Sequence, residues 1–111
     1  MTPNEYQTRA AKFAVYPLDR RIEYVALGLA SEAGEIAGKI KKKIRDGANW
    51  SEEQHDAHRC AVIAELGDVL WYAAEVARQF NSTLEDVMQH NLDKLESRQQ
   101  RGVLTGNGDT R

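Results

Sequence analysis

Two acidic pairs, Glu32-x-x-Glu35 and Glu65-x-x-Asp68, hold the residues best suited to chemistry in this chain. Each places two carboxylates three residues apart in a run with helical apolar spacing, so both acids point from one helix face. Leu29 and Ile36 flank the first pair and Val62 and Val69 the second, on the same side. The acids are therefore expected to face inward, where unpaired charge is costly. A cation must accompany them, and a divalent metal ion is the simplest one. Isolated E-x-x-E pairs are common on solvated helix faces, but three details separate these from that background. Both lie mid-helix on two long consecutive helices with a short connection, and an antiparallel arrangement would bring them together. Each contains a glycine, Gly34 or Gly67, which costs about 1 kcal/mol against alanine and marks close packing or a functional need. Both interrupt an apolar stripe instead of lying opposite it.

All four candidate ligands are hard oxygens, which suit magnesium, manganese or calcium better than zinc or copper. A di-iron site of the bundle type needs Glu-x-x-His on two helices. The chain has one match, Glu52-x-x-His55, at a helix start away from the acids. His55 and His58 lie on a polar helix end and read as surface residues, with no cysteine arranged to complete a zinc site. Four clustered carboxylates repel one another unless protonated or metal-bound. Magnesium retains waters and takes phosphate oxygens as its remaining ligands, which points to a nucleotide or another polyphosphate and to attack on phosphorus.

The elements that must position these residues read as four helices and a tail. Thr2-Pro3-Asn4-Glu5 is a capping box with proline at the first helical position, predicting a helix to about Val15. Tyr16-Pro17-Leu18 breaks it. Asp19 is placed to cap a second helix over about Arg20 to Arg45, with Gly47 beyond its end. Ile22, Val25, Leu29, Ile36, Ile40 and Ile44 keep helical spacing along it. Ser51-Glu52-Glu53-Gln54 opens a third helix to about Phe80, and Ser82-Thr83-Leu84-Glu85 a fourth to about Gln100. From Gly102 the composition shifts to an irregular tail with Gly106 and Gly108. No run alternates as a strand would, so the fold class is all-α.

At 111 residues the chain is expected to be one domain, 1–111, with a modest core. A hydrophobic fraction of 41% and a charged fraction of 29% fit a folded globular chain. A formal charge of −2 gives no basic surface for a nucleic acid polymer. The single cysteine, Cys60, excludes an internal disulfide, fits a reducing compartment and reads as a buried small hydrophobe. Neither a signal-peptide pattern nor an apolar run long enough for a membrane span is present, so a cytoplasmic location without a membrane partner is expected.

The chain resembles the MazG-like, all-α nucleoside triphosphate pyrophosphohydrolases. The matching stretches are Gly28-Leu29-Ala30-Ser31-Glu32-Ala33-Gly34-Glu35, Glu65-Leu66-Gly67-Asp68-Val69-Leu70-Trp71-Tyr72 and Asn91-Leu92-Asp93-Lys94-Leu95-Glu96-Ser97-Arg98. The end, from Arg101-Gly102-Val103-Leu104 through Arg111, is similar to that of small, often phage-encoded members. The resemblance implies a four-helix bundle-like fold with an irregular glycine-containing tail. It implies hydrolysis of an NTP or dNTP at the α-phosphorus to monophosphate and pyrophosphate, with Mg²⁺ or Mn²⁺. Carried over by position, Glu32, Glu35, Glu65 and Asp68 are metal ligands, with Glu35 favoured as the catalytic group that orients or deprotonates water. Asn91 and Lys94 match nucleotide-facing positions. Lys39 either reaches a phosphate or pairs with Glu35 four residues away. Trp71 and Tyr72 either stack on the base or pack in the core, with Phe13, Tyr16 and Trp50 as further stacking candidates. Arg101 and Arg111 of the tail are candidate pyrophosphate contacts. The family forms dimers and tetramers, so a homo-dimer or homo-tetramer is expected. The alternative reading is a non-catalytic nucleotide-binding or helical interaction module.

Overall fold

The computed structural model describes residues 1–111 as four α-helices, three short 3-10 turns and no strand. Helix α1 (Pro3–Ala10) starts on the expected capping box: the Thr2 hydroxyl accepts from the Glu5 N–H and the Glu5 carboxylate accepts from the Thr2 N–H. It ends earlier than predicted and passes into a 3-10 turn over Ala11–Phe13. Helix α2 (Arg21–Asp46) lacks the cap expected from Asp19. Leu18–Arg20 winds as a 3-10 turn instead, and Arg20 pairs with Glu23 at 2.9 Å. Helix α3 (Glu52–Gln79) opens on the Ser51/Gln54 box, as predicted.

Helix α4 (Leu84–Gln100) is capped by Thr83, which accepts from the Asp86 N–H, and not by Ser82. The end of α3 explains the shift. Asn81 adopts a left-handed φ of 56°, and the Ser82 N–H donates to the Ala77 carbonyl at 2.9 Å. This is a Schellman closure with asparagine in the left-handed position. Ser82 is consumed in ending α3, so the next residue starts α4.

Helices α2 and α3 form an antiparallel hairpin, with α3 about 42 Å long at 1.5 Å per residue. Gly28 on α2 lies against the Tyr72 ring on α3, where a methyl group would collide with the ring. Helix α1 packs on α3 and α4 at one end. The Gln7 amide donates to the Ala74 and Ser82 carbonyls and accepts from the Leu84 N–H, while Asn4 accepts from the Glu85 N–H. The buried apolar residues are Ala10, Val25, Ala74, Ala77 and Leu84. Buried beside them, Glu75 pairs with Arg78, whose guanidinium also donates to the Tyr16 hydroxyl.

Seven of 111 residues are buried, which is too few for a self-sufficient core. Ile63, Leu66 and Leu70 on α3 are exposed at helical spacing, as are Met88, Leu92 and Leu95 on α4. The accessible surface is 8283 Å², against about 6,200 Å² for a compact monomer of this mass. The radius of gyration is 17.4 Å, against about 13 Å for a compact domain of this length. Cys60, expected to be buried, is exposed because no element of the same chain covers that face of α3. No helix is long and apolar enough to cross a membrane.

Candidate functional site

The hairpin register that sets Gly28 against Tyr72 also sets Glu32 opposite Glu65 and Asp68. One carboxylate oxygen from each of these three acids lies within 4.8 Å of the others. Glu32 and Glu65 are half-buried and Asp68 is exposed, so the cluster lies on a flank of the hairpin and not in its interior. Burial, and then the charges of Asp68, Glu65 and Glu35, hold the Glu32 carboxyl above its usual range. Lys39 supplies a counter-charge across the hairpin, with its Nζ 3.0 Å from Glu65 Oε1. Of the two readings of Lys39, the pair with Glu35 is thus not the one formed.

Glu35 stands apart. It is exposed and lies outside the group of three converging oxygens, although it faces the same way one turn along α2. Gly34 and Gly67 have no atom within 4 Å of where a methyl group would project. The close packing expected of them is absent within one chain and is found at Gly28.

An aromatic wall borders the acids on the α1 side. Tyr16 and Tyr24 stack with centroids 5.1 Å apart, and Trp71 meets Tyr72 edge-on at 4.9 Å. The Trp71 indole N–H donates to the Ala10 carbonyl, which ties this ring into the α1–α3 junction. Burial, then the Asp68 charge, raises the Tyr6 phenol. Burial, followed by its neighbour Tyr24 and by Glu32 and Asp68, raises that of Tyr72. Phe13 and Trp71 line a cleft of about 290 Å³ with Tyr6 and Arg9. Trp50 lies at the hairpin tip between His55 and His58, and the His58 imidazole bonds the Lys39 carbonyl at 3.2 Å. Sequence reasoning missed Tyr6 and Tyr24. For Tyr24 the signal was there, since Tyr24, Gly28 and Glu32 recur every four residues along one face of α2.

Asn91 and Lys94 line a cleft of about 490 Å³ along α4 with Ser82, Asp86 and His90. Lys94 is paired with Asp109 of the tail at 3.0 Å. The tail is irregular, as expected, but it is fastened. Arg101 donates to the Arg111 carbonyl, and Arg111 donates to the carbonyls of Val103, Leu104 and Gly108. Both arginines expected at pyrophosphate are thus engaged by the tail's own backbone, whose carbonyls need donors once the helix has ended.

Three carboxylates with one open side suit a hard divalent cation that keeps outside ligands. The half-buried Glu32, held above its usual range by its neighbours, is the group that such a cation would relieve.

A family model, the MazG nucleotide pyrophosphohydrolase domain, matches residues 20–103. The chain is 45% identical to the Gene 37 protein of Mycobacterium phage L5 over 114 residues, covering 96% of both chains. It is 33% identical to the protein YvdC of Bacillus subtilis (strain 168) over 72 residues, covering 63% of this chain and 68% of that one. No solved structure matches it. The matched span holds all four acids and the whole α2–α3 hairpin, and the family it describes is generally dependent on divalent metal. On these findings the chain belongs to the MazG nucleotide pyrophosphohydrolase family.

Proposed function

We propose that this protein hydrolyses a nucleoside or deoxynucleoside triphosphate to the monophosphate and pyrophosphate. The observation that carries the reading is the convergence of Glu32, Glu65 and Asp68 from two helices of a chain in this family. These three residues would hold Mg²⁺, or Mn²⁺ in its place. A bound divalent cation neutralises the triphosphate and acidifies a coordinated water.

The chain's own groups do the rest. Glu35, exposed and outside the ligand group, takes the proton of the attacking water on its carboxylate. The water oxygen bonds to the α-phosphorus, the bond to the bridging oxygen breaks, and pyrophosphate leaves with the electron pair. Lys39 is paired with Glu65 in the free protein and turns to a phosphate once that carboxylate is occupied, acting as a point charge. Asn91 and Lys94 bind the phosphates from α4.

For the base, the cleft between Phe13 and Trp71 offers a stacking face, whereas Tyr72 is spent on Gly28 and on the neighbouring rings. A second copy of the chain covers the apolar stripes of α3 and α4, making a homo-oligomer that works on the nucleotide pool of the cytoplasm.

Incubation with each NTP and dNTP plus Mg²⁺, with product identification, tests the reading. Equal yields of monophosphate and pyrophosphate are expected. Orthophosphate with a diphosphate would change the bond assigned, and no product from any nucleotide would reject hydrolysis.

A further inference from the structure

Arg98 is the most deeply buried cation of the chain, at 6% exposure, and its Nε has no hydrogen-bond partner. A buried guanidinium with an unused donor is costly, so its surroundings must supply negative charge or a ligand. What they supply is one residue of the tail, Asp109, through its carboxylate and its main-chain carbonyl. Asp109 Oδ1 lies 3.0 Å from Arg98 Nη2 and 3.0 Å from Lys94 Nζ, and the Asp109 carbonyl accepts from Arg98 Nη2 at 2.6 Å. The two cations are four residues apart on α4, so they present one fork on one face. Their carboxylate occupant is itself 80% exposed.

The tail folds back on itself beside this fork. Gly102, at φ 69°, closes α4 in a Schellman turn, with the Gly102 N–H donating to the Gln99 carbonyl and the Val103 N–H to the Arg98 carbonyl. Beyond it, Gly106 and Gly108 also take left-handed φ values, which let the segment double back so that Arg111 clasps its carbonyls. The loop is therefore held together mainly by itself. The residue that joins it to the buried cation is Asp109, by side chain and main chain.

We propose that Lys94 and Arg98 form an anion site for a pyrophosphoryl group, and that Asp109 is its built-in occupant, displaced when the phosphate ligand binds. This rests on the reading of the protein as a polyphosphate-handling enzyme and adds to it Arg98 and a competing tail. A carboxylate is a singly charged mimic of a phosphoryl group, and a fork of lysine and arginine suits the more highly charged ligand better. The cleft beside Lys94, with Asn91 one turn away, gives the remainder of the ligand room.

Titration calorimetry with inorganic pyrophosphate in EDTA isolates this site from metal-dependent binding. The full-length Asp109→Asn protein is expected to bind pyrophosphate about tenfold more tightly than the unaltered chain, as when a site masked nine-tenths of the time is unmasked. Adding Lys94→Gln to Asp109→Asn should abolish the gain. In the unaltered protein, pyrophosphate should speed hydrogen exchange across residues 103–110 as the tail is released. Unchanged or weaker binding by Asp109→Asn, or a tail whose exchange ignores pyrophosphate, would overturn the proposal. The readout involves no turnover, so its failure leaves hydrolysis to the product assay, and failure of that assay leaves this binding result standing.

Discussion

Glu32, Glu65 and Asp68 bring three negative charges together, and Lys39 returns one. The imbalance has a measurable sign. Glu32 holds its proton more tightly in the folded chain than its ordinary value, so a cation must compete with that proton. Mg²⁺ or Mn²⁺ affinity, followed by calorimetry, should therefore weaken as pH falls through a range lying above the usual carboxylate titration, and Glu32→Gln should flatten the profile. Without metal the sign for stability is opposite. The folded state binds the extra proton, so raising pH through the same range lowers stability, and the loss should be regained on adding the cation. Glu35 belongs to a different experiment. Glu35→Gln should leave metal affinity within about twofold while cutting kcat by roughly 10²–10⁴, the usual weight of a positioned base. If metal affinity fell as far as it does for Glu65→Gln, Glu35 would be a fourth ligand and not the base.

The positions of these residues are set by elements that were readable to different depths. The four helices, the N-terminal caps at Thr2 and Ser51 and the pairing of the acidic motifs follow from spacing and capping chemistry, because these are local properties of a few residues. The start of α4 was misplaced by one residue because Ser82 and Thr83 are both good caps, and only the three-dimensional closure at Asn81 decides between them. Gly34 and Gly67 drew attention by sitting inside the motifs. Gly28, which has the same identity and the same helical setting, is the one in close contact, and single-sequence reasoning has no means of ranking them. For Lys39 the sequence offers a phosphate or Glu35 four residues away, and not Glu65, because that partner lies 26 residues away on the other arm of the hairpin. The Gly28–Tyr72 contact carries an expectation of its own. Gly28→Ala should push the Tyr72 ring aside and destabilise the protein by about 1–3 kcal/mol despite the better helix propensity of alanine. Thermal unfolding measures the loss, and pairing the change with Tyr72→Leu should recover part of it. A neutral or stabilising Gly28→Ala would show that the helices separate at no cost, and the register argument for the acid cluster would weaken with it.

At the scale of the whole molecule the chain leaves much apolar surface uncovered. It exposes about 2,100 Å² more surface than a compact monomer of its mass, which is of the order that a stable subunit interface removes. The exposed stripes are helical in spacing and apolar in kind, Ile63–Leu66–Leu70 on α3 and Met88–Leu92–Leu95 on α4, so a second copy can cover them by ordinary helix packing. Leu66→Glu and Leu92→Glu each put a charge at the centre of a stripe. If a second copy covers these stripes, light scattering on a sizing column should show the unaltered protein above 12.5 kDa and both variants shifted toward the monomer, with a lower unfolding temperature. Gly34 and Gly67 then report how the copies meet. Both are open in one chain, so alanine there should add about 0.5–1 kcal/mol by helix propensity alone if the assembled protein leaves that flank to solvent. If instead a partner helix comes close over the acidic motifs, the same substitutions will weaken the oligomer. The Leu66→Glu background separates the two cases: a penalty at Gly34 that vanishes in the monomer belongs to the interface, and a gain that persists in both states belongs to the helix. An unaltered chain that ran as a stable 12.5 kDa monomer at micromolar concentration would refute the assembly, and with it the explanation offered for the uncovered stripes.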